Sequence, residues 1–283
     1  MTAWHSNIGL SHPCWDDYRD LLRLLDDVPF PGARKLNQLL PEKLRSLGGN
    51  SIRFVPASEI PAVPYEQHIY TTGEISTREN SWHDLFNALA WCRFPRLKIA
   101  LNAVHFRELD SGSKGCRGKQ RDALTLFDES GVIVCSRNQQ HLKALAVRDW
   151  KSAFQTQAET WGDQTSVYIV GHALLEKFLQ PYKSLTAHAL LLHLEEPDTK
   201  PSGESLLPVL DEQVAKQLLA GRWMESPACL SPLPLMGIPG WWPHGEQNST
   251  FYSDRTVFRS PPARFKPAPA YSVQVGYPKS GTP

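Results

Sequence analysis

The segment SWHDLFNALAWCRFPRLKIALNAVHFREL (residues 81–109) places polar side chains among residues that normally form a protein core. Ser81, with Asp84 three residues later, resembles a capping box in which aspartate replaces glutamate, so a helix is predicted to begin just after it. Pro95 fits the first turn of a helix but not its interior. The sequence therefore predicts two helices that meet at a bend, Trp82–Phe94 and Pro95–Leu109.

Polar side chains recur at helical spacing on both of these helices. His83 and Asn87 lie four residues apart on the first helix, and Lys98 and Asn102 are spaced in the same way on the second. Buried polar groups cost free energy unless they are paired. The two stripes therefore either hold the bend together through hydrogen bonds or line one wall of a pocket, and the sequence leaves both interpretations open.

The rest of the chain indicates a mixture of helices and strands. The turn tetrapeptide Asp128–Gly131 separates two β-rich runs and is typical of a β-hairpin. Ser166–Val170 has the pattern of a buried strand, whereas the alanine and leucine content of Leu185–Leu194 favours a helix. Arg34–Leu47 is predicted as a helix that ends at a pair of glycines, and Tyr65–Tyr70 as a strand.

These elements predict a single, helix-rich α+β domain over residues 1–259, with a small sheet that includes the hairpin. Residues 260–283 are rich in proline, basic and without an acidic residue. Such a composition cannot bury enough apolar surface to fold alone, so this segment is predicted to be a disordered tail.

Composition argues against several classes of protein. The 283 residues include 30 basic and 29 acidic side chains, and this near-neutral balance does not indicate a general binder of nucleic acid or membrane surfaces. The 5 cysteines are odd in number and contain no C-x-x-C pair, so neither a disulfide framework nor a zinc ribbon is expected. No signal-peptide pattern and no run of about eighteen apolar residues is present. We therefore expect a soluble protein of the cytoplasm without a membrane partner.

The segment GHALLEK (residues 171–177) is the first candidate for chemistry. His172 lies where a predicted strand ends and a helix begins, and Glu176 lies one helical turn further along the chain. An imidazole and a carboxylate on one face can share a divalent metal ion, or the carboxylate can orient the imidazole as a general base. The spacing permits both, and a third metal ligand must come from elsewhere in the chain. His188 and His83 are the nearest candidates.

The segment KGCRGKQR (residues 114–121) is a candidate anion site. Its glycines allow backbone N–H groups to approach an anion, and arginine side chains bind phosphate or carboxylate through two parallel hydrogen bonds. It is not a P-loop, because two defining positions are replaced. A solvated basic turn is the alternative. The residues predicted to bind a small anionic ligand are Arg117, Arg121 and Lys98.

Several longer strings carry a resemblance to a known family. They include FNALAW (86–91), RDALTLFDE (121–129), GHALLEK (171–177) and GIPGWW (237–242), and the similarity extends to Arg259. Together they resemble the bacterial family catalogued as domain of unknown function 3025. The resemblance implies a bacterial source, and it brings no established activity, cofactor or catalytic residue.

Two functions from different classes are consistent with these patterns. One is a hydrolase-type enzyme that acts on an anionic substrate through a metal or acid–base centre. The other is a non-catalytic module whose polar network is structural and whose aromatic segment Trp241–Phe258 contacts a partner. The enzyme requires its reactive atoms to converge around an open cavity. Its predicted centre is His172, Glu176 and His188, completed by His83 or Asp84.

Overall fold

The computed structural model describes residues 8–25, 29–110, 118–195, 205–243 and 245–274. The α-helices are Arg19–Arg23 (α1), Ala33–Leu36 (α2), Tyr65–Thr72 (α3), Trp82–Arg93 (α4), Pro95–Asp110 (α5), Lys119–Ser130 (α6), Gln139–Ala146 (α7), His172–Lys177 (α8), Leu207–Leu219 (α9) and Ser249–Tyr252 (α10). The β-strands are Arg53–Pro56 (β1), Glu74–Thr77 (β2), Gly131–Ser136 (β3), Thr165–Ile169 (β4), Thr186–Glu195 (β5), Ser231–Pro234 (β6) and Ala270–Gln274 (β7). The predicted α+β class is confirmed.

The larger sheet is built around β5. Strand β3 pairs in parallel with one edge of β5, and β4 pairs antiparallel with the other edge of β3. The second edge of β5 is shared by β6, which runs antiparallel near the start of the strand, and β7, which runs parallel near its end. Every residue of β3 is buried. Strands covered on both faces are expected to form the centre of the core, which is where β3 and β5 lie.

The helix pair predicted from residues 81–109 is confirmed. The Ser81 hydroxyl accepts a hydrogen bond from the Asp84 N–H at 3.2 Å and caps α4. The first N–H groups of α5 find their acceptor on a different helix, since the Asp211 carboxylate of α9 accepts from Arg96 and Leu97 at 3.1 and 2.8 Å. Hydrogen bonds therefore fix the N-terminal end of each helix, close to the first polar residue of its stripe, which is His83 in α4 and Lys98 in α5.

The predicted hairpin is wrong. Residues 119–130 form one continuous helix, α6, which passes directly into β3 at Gly131. Ala123, Leu124 and Phe127 are buried along one side of α6, a spacing that matches the helical period and not the alternation of a strand. Asp128 and Glu129 therefore lie in the last turn of a helix rather than at the tip of a hairpin.

Three other predicted segments differ from the structure. Leu185–Leu194 was expected to be helical, but it forms most of β5, because pairing on both edges of the strand outweighs the helix propensity of alanine and leucine. Tyr65–Tyr70 lies in helix α3, which begins directly after Pro64. The helix expected over Arg34–Leu47 is limited to the single turn α2.

Part of the predicted tail is an ordered strand. Residues 270–274 form β7, which pairs with β5 from Leu191 to Glu195. Val273 is buried at this position, so the segment contributes to the core despite its proline-rich surroundings. Residues 260–269 form neither helix nor strand, and residues 275–283 lie outside the described residues.

Two glycines bring the end of α6 next to the start of α8. Gly171 donates its N–H to the Gly131 carbonyl at 2.9 Å. A Cβ atom on Gly171 would lie 2.6 Å from the Glu129 carbonyl oxygen, so only glycine allows this approach. As a result, Asp128 and Glu129 at the end of α6 face His172 at the start of α8.

Candidate functional site

A cavity of about 510 Å³ lies among helices α3, α4, α5, α6 and α8. Most of the described residues that line it are polar or ionisable. The described lining residues with an ionisable or amide side chain are Tyr65, Glu66, Arg78, His83, Asp84, Asn87, His105, Arg121, Asp128, Glu129 and His172.

Two histidines and a glutamate converge on one wall of this cavity. His172 Nε2 lies 3.0 Å from His83 Nε2, and the two rings meet nearly edge to face at 77°. Glu129 Oε2 is 3.6 Å from His172 Nε2. One ligand atom from each of these three residues lies within 4.8 Å of the other two. Glu176 is behind His83, whose Nδ1 lies 3.3 Å from Glu176 Oε2.

The electrostatic environment keeps His172 neutral. Burial lowers the pKa of His172 to about 4, and the nearby Lys98 and His83 act in the same direction, while Asp128 opposes them. His172 Nδ1 lies 3.8 Å from Asp128 Oδ2, beyond a direct hydrogen bond. A neutral imidazole retains a lone pair, so at neutral pH His172 can accept a proton or bind a metal ion.

A buried chain of polar groups supports Asp128. Lys98 Nζ donates to Asp128 Oδ1 at 2.5 Å and to Asn87 Oδ1 at 3.0 Å. Asn87 in turn donates to the Tyr65 hydroxyl at 2.9 Å. Burial alone would raise the pKa of Asp128, but the Lys98 ammonium and His172 hold that pKa below its usual value. Asp128 is therefore charged, and it faces His172 from a fixed position.

The predicted anion-binding residues have different surroundings. Lys98 is only 4% exposed and its charge is already paired with Asp128, so it presents no free cation to the cavity. Arg121 lines the cavity directly. Arg117 lies outside the described residues.

Asp84 lines the cavity but is already engaged. Arg78 donates to its carboxylate from the backbone N–H, from Nε and from the terminal guanidinium nitrogen, at 2.6, 2.9 and 2.7 Å. Burial would raise the pKa of Asp84, but these Arg78 contacts outweigh it and leave the pKa lowered. Asp84 therefore holds Arg78 in place and is poorly suited to exchange protons with a substrate.

His188 does not belong to this cavity. It lies in β5, where it is the register partner of Gly131 on one side and Pro232 on the other. Burial lowers its pKa, as does the nearby Lys177. Among the described residues, the predicted set of His172, Glu176 and His188 does not form a group that could hold a metal ion, and of the three only His172 lines the cavity.

The structure adds Glu66 to the cavity. The Asn102 side chain donates to Glu66 Oε2 at 2.7 Å and to the Glu66 carbonyl oxygen at 2.9 Å. Burial raises the pKa of Glu66 to about 7, although Asn102, Lys98 and Arg121 oppose that shift. A carboxyl group with this pKa can give or take a proton near neutral pH. The sequence feature that could have revealed Glu66 is an acidic residue directly after Pro64-Tyr65, which is typical of the first turn of a helix. From the sequence alone, a strand is instead predicted for this segment.

Replacing Glu66 with glutamine should stabilise the protein selectively at alkaline pH. Between the pKa of an unfolded glutamate and about 7, the folded state binds more protons than the unfolded state, so the free energy of unfolding falls as pH rises through this window. Glu66→Gln removes this pH-dependent loss of stability and keeps a side-chain oxygen that can accept the hydrogen bond from Asn102. We expect a gain of about 1–3 kcal/mol near pH 8 and little change near pH 5, measured by urea unfolding.

Glu42→Gln provides the control for this measurement, because Glu42 is exposed. It should change the unfolding free energy equally little at both pH values. A gain in Glu66→Gln that is the same at acidic and alkaline pH would contradict the assignment of a near-neutral proton to Glu66.

The fold and the cavity together define an α+β protein in which a histidine–carboxylate cluster is assembled from the ends of several helices. A family model described as "Protein of unknown function (DUF3025)" matches residues 52–262, and the chain belongs to this family. The matched region contains every described residue that lines the cavity. No curated protein and no solved structure matches the chain. Within the described residues, no helix has the length and apolar character needed to cross a bilayer.

Proposed function

We propose that this protein is a hydrolase-type enzyme that holds a divalent metal ion between His83, Glu129 and His172 and acts on an anionic substrate. The observation that supports this most strongly is the convergence of the three ligand atoms within 4.8 Å on the wall of an accessible cavity. Two imidazoles and one carboxylate form a common ligand set of catalytic zinc sites, in which a further position is left for water or substrate.

The observed spacings suit a metal ion. Ligand atoms about 2.0–2.1 Å from a tetrahedral zinc ion lie roughly 3.3 Å apart. The separation of His83 Nε2 from His172 Nε2 is 3.0 Å, and that of His172 Nε2 from Glu129 Oε2 is 3.6 Å. Two of the three separations therefore lie close to the tetrahedral value, and all three ligand atoms lie within 4.8 Å of one another.

The groups behind the histidines also favour a cation. Glu176 can only accept a hydrogen bond from His83 Nδ1, whereas Asp128 Oδ2 lies 3.8 Å from His172 Nδ1, too far for a direct hydrogen bond but close enough to favour a proton there. If each Nδ1 carries its proton toward its carboxylate, the two Nε2 lone pairs point at each other across 3.0 Å. Such an arrangement is repulsive unless a proton or a metal ion lies between them. Carboxylates behind metal-bound histidines are a recurrent feature that fixes the tautomer of the ring.

The residues of this chain supply the remaining functions of such a site. A bound divalent metal would lower the pKa of a water molecule and polarise the substrate. Glu66 can exchange a proton at the same cavity, and Arg121 offers a positive charge to an anionic group. A proton shared between His83 and His172 is the metal-free alternative, and the same residues would then form an acid–base centre.

The non-catalytic alternative has weaker support. Trp241, Phe251 and Phe258 are buried, so the aromatic C-terminal segment packs within the protein and offers few of its rings to a partner. The cavity offers a more specific arrangement of reactive groups than that segment does. A bacterial source and a cytoplasmic location remain part of the proposal.

Zinc titration of two glutamate variants tests the proposed site. Glu129→Gln removes a proposed ligand and should weaken zinc binding by about tenfold to hundredfold or more. Glu176→Gln keeps an acceptor for His83 Nδ1, so it should have the smaller effect. Binding would be measured by isothermal titration calorimetry, with metal analysis of the parent protein purified without chelators.

The two substitutions are chemically identical and lie on either side of the histidine pair. A parent protein that takes up no zinc, manganese or iron would rule out the metal centre. Equal losses in both variants would show that Glu129 is not a ligand. If the parent does bind metal, hydrolysis of p-nitrophenyl phosphate that disappears on chelation is the expected activity.

A further inference from the structure

Arg121 is an unpaired cation in the wall of the cavity. It lies in the first turn of α6 and is half-buried, and within the described residues its guanidinium has no hydrogen-bond or ion-pair partner. A guanidinium carries five N–H donors, and leaving them partly desolvated without an acceptor is unfavourable. The position is also unfavourable for a cation, because the helix dipole disfavours positive charge in the first turn of a helix. An anionic ligand would remove both penalties.

The other cations near the cavity are already neutralised. Arg78 makes three hydrogen bonds to Asp84, and Lys98 is paired with Asp128. Arg121 is therefore the cation among the described lining residues that remains available to a ligand.

Carboxylates nevertheless outnumber cations at this cavity. The described acidic lining residues are Glu66, Asp84, Asp128 and Glu129, whereas the basic ones are Arg78 and Arg121. With Lys98 behind Asp128 included, four carboxyl groups still face three cations, so above the pKa of Glu66 an anion approaching the metal-free protein would meet net negative charge. A divalent cation held by His83, Glu129 and His172 would offset that charge on the wall that the anion must reach.

We propose that the substrate carries a phosphate monoester group that binds between the metal ion and Arg121, and that it binds only after the metal. This inference rests on the proposed metal centre and specifies the substrate class of that site. A phosphate monoester has three terminal oxygens. One can contact the metal while two others receive the guanidinium fork, an arrangement that a carboxylate with two oxygens cannot match.

The geometry of α6 separates the charge of Arg121 from that of the proposed metal ion by a distance that suits a bound phosphate group. Arg121, Thr125 and Asp128 follow one another along one face of α6, and all three line the cavity. Arg121 and Glu129 are eight positions apart, which corresponds to about 12 Å along a helix axis. An arginine side chain that turned toward Glu129 and a bound phosphate group could together span a gap of this size.

Titration with inorganic phosphate tests this inference. Phosphate would be titrated calorimetrically into the full chain with and without one equivalent of zinc. We expect binding only in the zinc form, with acetate binding much more weakly. Arg121→Gln should weaken phosphate binding by about tenfold to hundredfold while leaving zinc affinity unchanged. Arg121→Lys, which keeps the charge but loses the fork, should be intermediate.

Arg34→Gln is the matched control, since Arg34 is exposed and lies away from this cavity. It should not alter phosphate binding. Equal phosphate affinity with and without zinc, an unaffected Arg121→Gln variant, or acetate binding as tight as phosphate would each overturn the inference. In those cases the zinc titration, which reports on the metal centre separately, would still stand. Failure of zinc to bind would overturn both.

Discussion

His172→Ala is expected to abolish stoichiometric zinc binding, with an affinity at least about a hundredfold lower than that of the parent. His172 is the most buried of the three proposed ligands and lies between the other two, with His83 at 3.0 Å and Glu129 at 3.6 Å. Its removal leaves two half-buried ligands, which are too few to compete with water for the ion. Zinc content after dialysis, together with calorimetric titration, provides the measurement.

His188→Ala is the control for this experiment. His188 is also a partly buried imidazole, but it lies in β5 and does not line the cavity. Both variants lose the same side chain, so a general loss of folding would affect them alike, and thermal unfolding of each would detect it. Retention of zinc by His188→Ala and loss by His172→Ala is the expected pair of results. A similar loss in both variants would refute the placement of the metal at α4, α6 and α8.

Two of the three proposed ligands, His83 and His172, could be named from the sequence for local reasons. The spacing of His172 and Glu176 depends only on one helix, and the helix that carries His83 could be located from its cap. Those parts of the site follow from short-range rules that a sequence pattern records. The resemblance to the family is confirmed over residues 52–262.

The remaining ligand could not be found in this way. The sequence predicts that Glu129 lies in a hairpin turn, where acidic residues are common for local reasons. Its true position depends on the close contact of Gly131 and Gly171, which are 40 positions apart in the chain. The helical spacing of Ala123, Leu124 and Phe127 was the available signal for α6. Contacts between distant segments determine which polar residues meet, and periodicity does not encode them.

The misplacement of His188 has a related cause. Leu185–Leu194 is apolar throughout, and such a run is equally consistent with a buried helix and a central strand. Pairing with β3, β6 and β7 decides in favour of the strand. Once the segment is a strand, His188 is fixed opposite Gly131 in the sheet, and it is not among the described residues that line the cavity.

Lys98→Met should cause the largest loss of stability among the polar residues behind the cavity, about 3–5 kcal/mol. Lys98 is 4% exposed, and its ammonium lies 2.5 Å from Asp128 Oδ1. Methionine has a similar length but leaves the Asp128 carboxylate buried without its counter-charge. Removing one partner of a mostly buried ion pair is costly because the other charge, here 18% exposed, is only partly hydrated. The measurement is the free energy of urea unfolding at neutral pH.

The double variant Lys98→Met with Asp128→Asn distinguishes this mechanism from a simple loss of packing. Asparagine carries no charge, so the double variant should recover much of the stability that Lys98→Met loses.

Lys183→Met is a suitable comparison, because Lys183 pairs with Asp254 at 2.7 Å but both side chains are about a third exposed, at 32% and 30%. Water can replace that partner, so little change is expected. If Lys98→Met is no more costly than Lys183→Met, or if Asp128→Asn fails to restore stability, Asp128 does not depend on Lys98 for its charge. The charged carboxylate that faces His172 would then need another source of stabilisation.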